Sequence, residues 1–133
     1  MPIIHLSQKD INKSKACDAG WALFQLLSVE EKASKDKNSV NYTFEFECVN
    51  AQNSDNIGRY VYNMVNSKAP GIGMIPMVSA LLNIPIDQVT AGDVDSDKLL
   101  SKKCWIEVID EVYEGKIQKR CSAFAAEISR VPF

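Results

Sequence analysis

A chain of 133 residues that is 46% hydrophobic and 24% charged has the size and balance of one folded domain with its own core, and is short for two. No apolar run approaches the ~20 residues of a membrane-spanning helix. A formal net charge of −2 argues against a polyanion binder that works by bulk charge alone.

Residues 1–18 are polar and non-periodic after Ile4, and read as an N-terminal arm ahead of a single domain over residues 19–133. The arm lacks the basic start and apolar stretch of a signal peptide, so the expected compartment is the cytosol, with no membrane partner. A first strand is expected over residues 19–32. There Ala22, Phe24 and Leu26 alternate with Trp21, Leu23, Gln25 and Leu27. Both sets are largely apolar, as in a strand covered on both faces for part of its length. Residues 34–39, "SKDKNS", form a polar turn. Residues 40–49 carry the cleanest strand pattern, with Tyr42, Phe44, Phe46 and Cys48 on one face and Asn41, Thr43, Glu45 and Glu47 on the other.

A loop over residues 50–56 leads to a third strand over residues 57–66, where Gly58 marks a bulge or sharp bend. If Val61 and Val65 face the core, Arg59 and Asn63 share that side, and Tyr60, Tyr62 and Met64 point outward. "SKAPGIG" breaks the strand. Pro76 suits the first turn of a short helix ending near Asn83, with Met77, Val78, Leu81 and Leu82 at helical spacing and Pro85 beyond its end. Asp95 or Ser96 can cap a further short helix. A second hairpin pairs residues 103–112 with residues 116–124 across "YEGK", and residues 125–133 form a closing strand or tail.

Three strands, a helix and two strands is the element order of an OB-fold, a five-stranded Greek-key barrel with a short helix between strands three and four. A small sandwich of different topology has the same order. The fold class expected is therefore mainly β and OB-fold-like.

Several chemistries are excluded by spacing. The four cysteines stand 31, 56 and 17 positions apart, without a CxxC pair, and His5 is the one histidine. This disfavours a closed zinc site and suits reduced, buried thiols. "DVDSD" opens like a calcium loop but has Lys98 where glycine is required and Cys104 where a bidentate Glu belongs. "PGIGM" lacks the lysine and further glycine of a phosphate loop. Glu45 and Glu47 share a strand face, as solvated acids commonly do. No catalytic constellation emerges, so the expectation is a non-enzyme without metal or cofactor.

Charge is unevenly spread: residues 87–97 hold four Asp, residues 98–103 three Lys, and residues 116–120 three bases. Screening confines each patch to roughly 8–10 Å, so a local basic stripe can act within an acidic chain. Trp21, Tyr60 and Tyr62 fall on the faces opposite the core residues of their strands. They are either partly buried under the arm or helix, or available to stack on unpaired bases, worth about 1–3 kcal/mol per base. Lys32, Lys35 and Lys37 on the first hairpin, Arg59 and Lys68 flanking the third strand, and Lys116 on the last are candidate phosphate contacts, or simply solubilising charge. Glu45 and Glu47 oppose that role.

Four stretches, "AGW" (19–21), "EEKASKDKNSVNYTFEFE" (30–47), "GRYV" (58–61) and "LLSKKCWIEV" (99–108), resemble the compact phage single-stranded-DNA-binding proteins with an OB-fold. The similarity runs over residues 19–132. It implies sequence-tolerant coating of single-stranded DNA in phage replication or recombination, with replication or recombination proteins as further partners. The chain departs from such proteins at its end: Pro132 and Phe133 resemble a partner-recruiting tail tip, but Arg130 stands where an acidic run is expected. The alternative is a small phage protein–protein module, an inhibitor of a host protein or a virion component, suggested by the acidic balance and by Leu23 and Leu27 at outward strand positions.

Overall fold

A computed structural model of the protein describes residues 3–8, 11, 17–35, 38–68, 70–89 and 95–127. Five strands form one antiparallel sheet: β1 Gly20–Ala33, β2 Val40–Ala51, β3 Tyr60–Asn66, β4 Lys103–Tyr113 and β5 Lys116–Ala125. Their spatial order is β3-β2-β1-β4-β5, so β1 is central and pairs with both β2 and β4. The helix α1, Pro70–Leu82, lies between β3 and β4 in sequence and packs against β5, β3 and β4. The sheet is open. Its edge strands approach where the Cys121 thiol of β5 donates to the Tyr62 carbonyl of β3 at 3.8 Å, but no hydrogen-bonded ladder joins them among the described residues.

The alternation read from the sequence becomes the core. Phe24 and Leu26 of β1, Phe44, Phe46 and Cys48 of β2, Val61 and Val65 of β3, and Cys104, Ile106 and Val108 of β4 are all buried, together with Met77, Val78 and Leu81 of α1. All four cysteines are buried free thiols. Burial pushes the Cys104 thiol well above its ordinary range and Cys121 up to about 12, as loss of hydration disfavours a thiolate. Cys17 ties the chain ahead of β1 into this core.

Strict alternation does not last the length of β1. Its pairing with β2 shifts between Leu26 and Ser28, which leaves Leu27 without a cross-strand partner. This bulge restores the inward phase: Val29, opposite Phe44, packs on the core, and Ser28 is turned out instead. At the other hairpin, Glu114 (φ 51°) and Gly115 (φ 78°) both sit at positive φ between the paired Tyr113 and Lys116. That is the requirement of a tight two-residue hairpin turn matched to strand twist.

Two elements depart from expectation. β3 begins at Tyr60, not residue 57, because a short 3-10 turn, Ser54–Asn56, and a bend at Gly58 (φ 91°) occupy the approach. The helix begins at Pro70 and contains Pro76. Pro70 suits a first helical position because its missing N–H would be unbonded there anyway, whereas Pro76 removes one helical hydrogen bond. One of the glycines that read as a break, Gly73, serves packing. A Cβ on Gly73 would lie 2.9 Å from Val65 Cγ2 and 3.4 Å from Asn63 Oδ1, so close seating of α1 on β3 outweighs glycine's poor helix propensity. The helix closes with Asn83 at φ 53°, the Asn83 N–H on Ala80 O (3.3 Å) and the Ile84 N–H on Ser79 O (3.1 Å), which satisfies its last carbonyls. Asp95 caps the short turn Ser96–Lys98, as read from the sequence, by accepting from the Asp97 N–H at 3.0 Å. No helix among the described residues is long and apolar enough to cross a membrane.

Asn63 is the buried polar residue at this seam. Its amide donates to the Gly73 carbonyl at 3.0 Å and to Met77 Sδ at 3.4 Å. Asn63→Ala removes both bonds, and urea unfolding is expected to show a loss of about 1–3 kcal/mol. A loss below about 0.3 kcal/mol would show that the seam is held by apolar packing alone.

Candidate nucleic-acid interface

The outward face of β1, β2 and β3 is built in cross-strand rows. Lys32, Asn41 and Asn66 form one, Glu30, Thr43 and Met64 the next, then Ser28, Glu45 and Tyr62. A groove of about 580 Å³ runs over the first two rows, lined by Glu30, Lys32, Asn41, Thr43, Met64 and Asn66. Tyr62 is 38% and Met64 74% exposed, so a phenol ring and a soft thioether stand beside the groove.

The end of β3 is pinned to the start of β2. Asn66 Nδ2 donates to Asn41 Oδ1 (2.7 Å) and Ser39 Oγ (3.0 Å), and Val40 and Ser67 exchange hydrogen bonds at 2.8 and 3.0 Å. The Lys68 N–H then donates to Asn66 Oδ1 at 2.9 Å. The β1–β2 turn closes through Ser34 N–H on Ser39 O at 3.0 Å and Ser39 Oγ on Ser34 Oγ at 2.9 Å. These short polar side chains therefore set Lys35 and Lys68 at the same end of the sheet, next to Lys32. Lys37 lies outside the described residues, as do Pro132 and Phe133.

The remaining candidates separate from this group. Trp21 stands eleven residues before Lys32, about 35 Å along a strand rising ~3.3 Å per residue. It packs with Leu23, Trp105 and Ala125 in a small second cluster on the outer face. Arg59 lies at that same end. Its guanidinium donates to Asn56 Oδ1 at 3.3 Å and pairs with the Asp18 carboxylate at 3.6 Å, fastening the chain before β1 to the β2–β3 loop. Lys116 is on the β4–β5 hairpin, which runs past the Gly20 end of β1. Among the described candidates, Lys32 lines the groove, Tyr62 stands in the row beyond it, and Lys35 and Lys68 follow the strand ends on its Lys32 side.

Tyr60 requires a correction. By parity it shares the outward face with Tyr62, as expected, yet it is 3% exposed and presents no open ring to a base. Parity assigns a residue to a face and says nothing of what lies over it. Its register partner is Glu47. Burial, and then the Glu47 carboxylate, push the phenol up to about 12. A phenol whose pKa is raised by folding gives its full contribution to stability below its ordinary value of ~10, and that contribution is lost as pH rises through about 12. Tyr60→Phe cannot ionise, so its stability is expected to fall less steeply than that of the parent protein between those limits. Equal alkaline slopes in paired urea titrations would contradict this.

The sequence pattern does not single out the β4–β5 hairpin tip, where Val112, Tyr113 and Ile117 are 71%, 57% and 72% exposed. The available signal was apolar residues on both sides of a two-residue Glu-Gly turn, beyond the part of β4 that β1 covers. Met64, at an outward position with Tyr62, carries no sequence signal for a role of its own. No protein-family model matches the chain, and a search of the curated proteins returns no significant relative.

Proposed function

We propose that the protein binds single-stranded DNA without sequence preference, along the outward face of β1, β2 and β3. The observation that carries this reading is a groove lined by Lys32 and exposed Met64, with exposed Tyr62 in the next cross-strand row and with Lys35 and Lys68 just past the strand ends on its Lys32 side. An exposed aromatic accepts any base on its face, and flanking lysines neutralise the backbone. The strand order supports an OB-type fold: β3-β2-β1-β4-β5 with a helix after β3 is the order that a five-stranded barrel of that type would have if opened between β3 and β5. Glu30 and Glu45 in the same rows weaken the field, so affinity is modest and salt-sensitive.

Fluorescence-anisotropy titration with an oligo(dT) of about 30 nucleotides tests this. The expected result is a Kd below about 100 μM at low salt, with log affinity falling against log salt at a slope near −2, about −0.7 for each of the lysines Lys32, Lys35 and Lys68. Absence of binding at that concentration would overturn the proposal. A second reading, a protein–protein module, is favoured by the exposed Val112, Tyr113 and Ile117 at the β4–β5 tip. It predicts a host partner whose capture survives nuclease and is lost in Ile117→Lys.

A further inference from the structure

Trp21 is half-buried and lines two cavities. One, of about 160 Å³, is bounded by Phe124, Ala125 and Ala80. The other, of about 260 Å³, is bounded by Asp18, Gly20, Ala51, Gln52 and Asn53. The second is smaller than the ~300 Å³ at which pockets for drug-sized ligands begin, and suits one flat ring system. Its polar wall is held in place. The Asp18 N–H donates to Asn56 Oδ1 at 3.1 Å, the Asp18 carboxylate faces the Arg59 guanidinium at 3.6 Å, and Asn53 Oδ1 accepts from the Asp55 N–H at 3.0 Å.

We propose that this cavity receives a single unpaired nucleobase, stacked against Trp21 with its edge toward Asp18, Gln52 and Asn53. This rests on the single-strand reading above and adds a contact at the opposite end of β1 from Lys32. The chemistry selects a base. An indole wall stacks on any base, whereas a carboxylate and two amides match the N–H and carbonyl groups of a base edge. An aliphatic side chain would offer no hydrogen-bonding partner to Gln52 or to the Asn53 amide N–H. A phosphate would meet the Asp18 carboxylate, so the sugar–phosphate chain stays at the mouth.

The test uses Trp21→Leu, which keeps apolar volume against Leu23 and Trp105 but removes the aromatic face, with Trp21→Phe as the conservative variant. Both are first shown folded by circular dichroism. Trp21→Leu is expected to weaken binding of a ~30-nucleotide oligo(dT) about 5–150-fold, with Trp21→Phe recovering most of the loss. Affinity for an abasic strand of equal length, which carries only the phosphates, is expected to stay unchanged. Wild-type affinity of Trp21→Leu for oligo(dT), or an equal loss toward the abasic strand, would overturn the proposal. If the parent protein binds no strand, the single-strand reading fails on its own account, and free thymidine decides the cavity. Saturable quenching of indole emission that disappears in Trp21→Leu upholds it; no quenching overturns it.

Discussion

Phe46→Ala is expected to lower the unfolding free energy by about 3–5 kcal/mol, the usual range for truncating a buried phenylalanine. Phe46 is fully buried, with Leu26 of β1 opposite it on one side and Val61 of β3 on the other. Its ring therefore sits on the inward face where β1, β2 and β3 meet. Neighbours anchored in the hydrogen-bonded central strands collapse poorly into the void, which places the cost toward the upper end. A domain of this size has about 5–15 kcal/mol in total, so the variant retains only part of its stability. Tyr42→Ala, on the same face but half-buried near the hairpin end, is expected to cost less. Guanidinium unfolding curves for the two variants check the ranking, and a Phe46→Ala loss below about 1 kcal/mol would contradict the packing described.

Tyr62→Ala is expected to weaken oligo(dT) binding about 5–150-fold, the cost of one lost base stack. Its effect on stability is expected to be small, since the side chain is 38% exposed and the link to Cys121 uses the backbone carbonyl, which the substitution keeps. The contrast with Tyr60 sharpens the test. Tyr60→Phe keeps a buried ring in place and is expected to leave affinity unchanged. Were Tyr62→Ala to bind as the parent does, the groove beside Met64 would not be the contact surface.

How much of this was legible in the sequence depended on whether local chemistry decided the outcome. Tyr42, Phe44, Phe46 and Cys48 alternate with polar partners, and β2 pairs and buries that way. Glu114 and Gly115 announce a tight turn, and β4 and β5 meet there. The start of α1 was not legible, because Pro70, Gly71 and Gly73 read locally as breakers and Pro76 reads as a first helical position. What overrides them is the seat of Gly73 against Val65 and Asn63, a tertiary contact. The bulge at Leu27 was hidden for the same reason: only pairing with β2 reveals that β1 has one residue to spare.

For the candidate site, residue type pointed to the aromatics and lysines, but not to which of them would meet. Lys32, Lys35 and Lys68 come together because Ser39, Asn41, Asn66 and Ser67 pin two strand ends, a set of polar contacts with no periodic signature. Arg59, attractive as a cation beside a strand, is committed to Asp18 and Asn56. Trp21 shares the outward face yet stands near the far end of β1, which divides the predicted set between two places on one surface.

The most direct test of the central claim is an NMR titration of the labelled protein with oligo(dT), following backbone amide shifts. The outward-face account predicts that the largest changes fall on Lys32, Asn41, Thr43, Tyr62, Met64 and Lys68. Changes confined to the hairpin tip at Val112, Tyr113 and Ile117, or no changes at all, would contradict it.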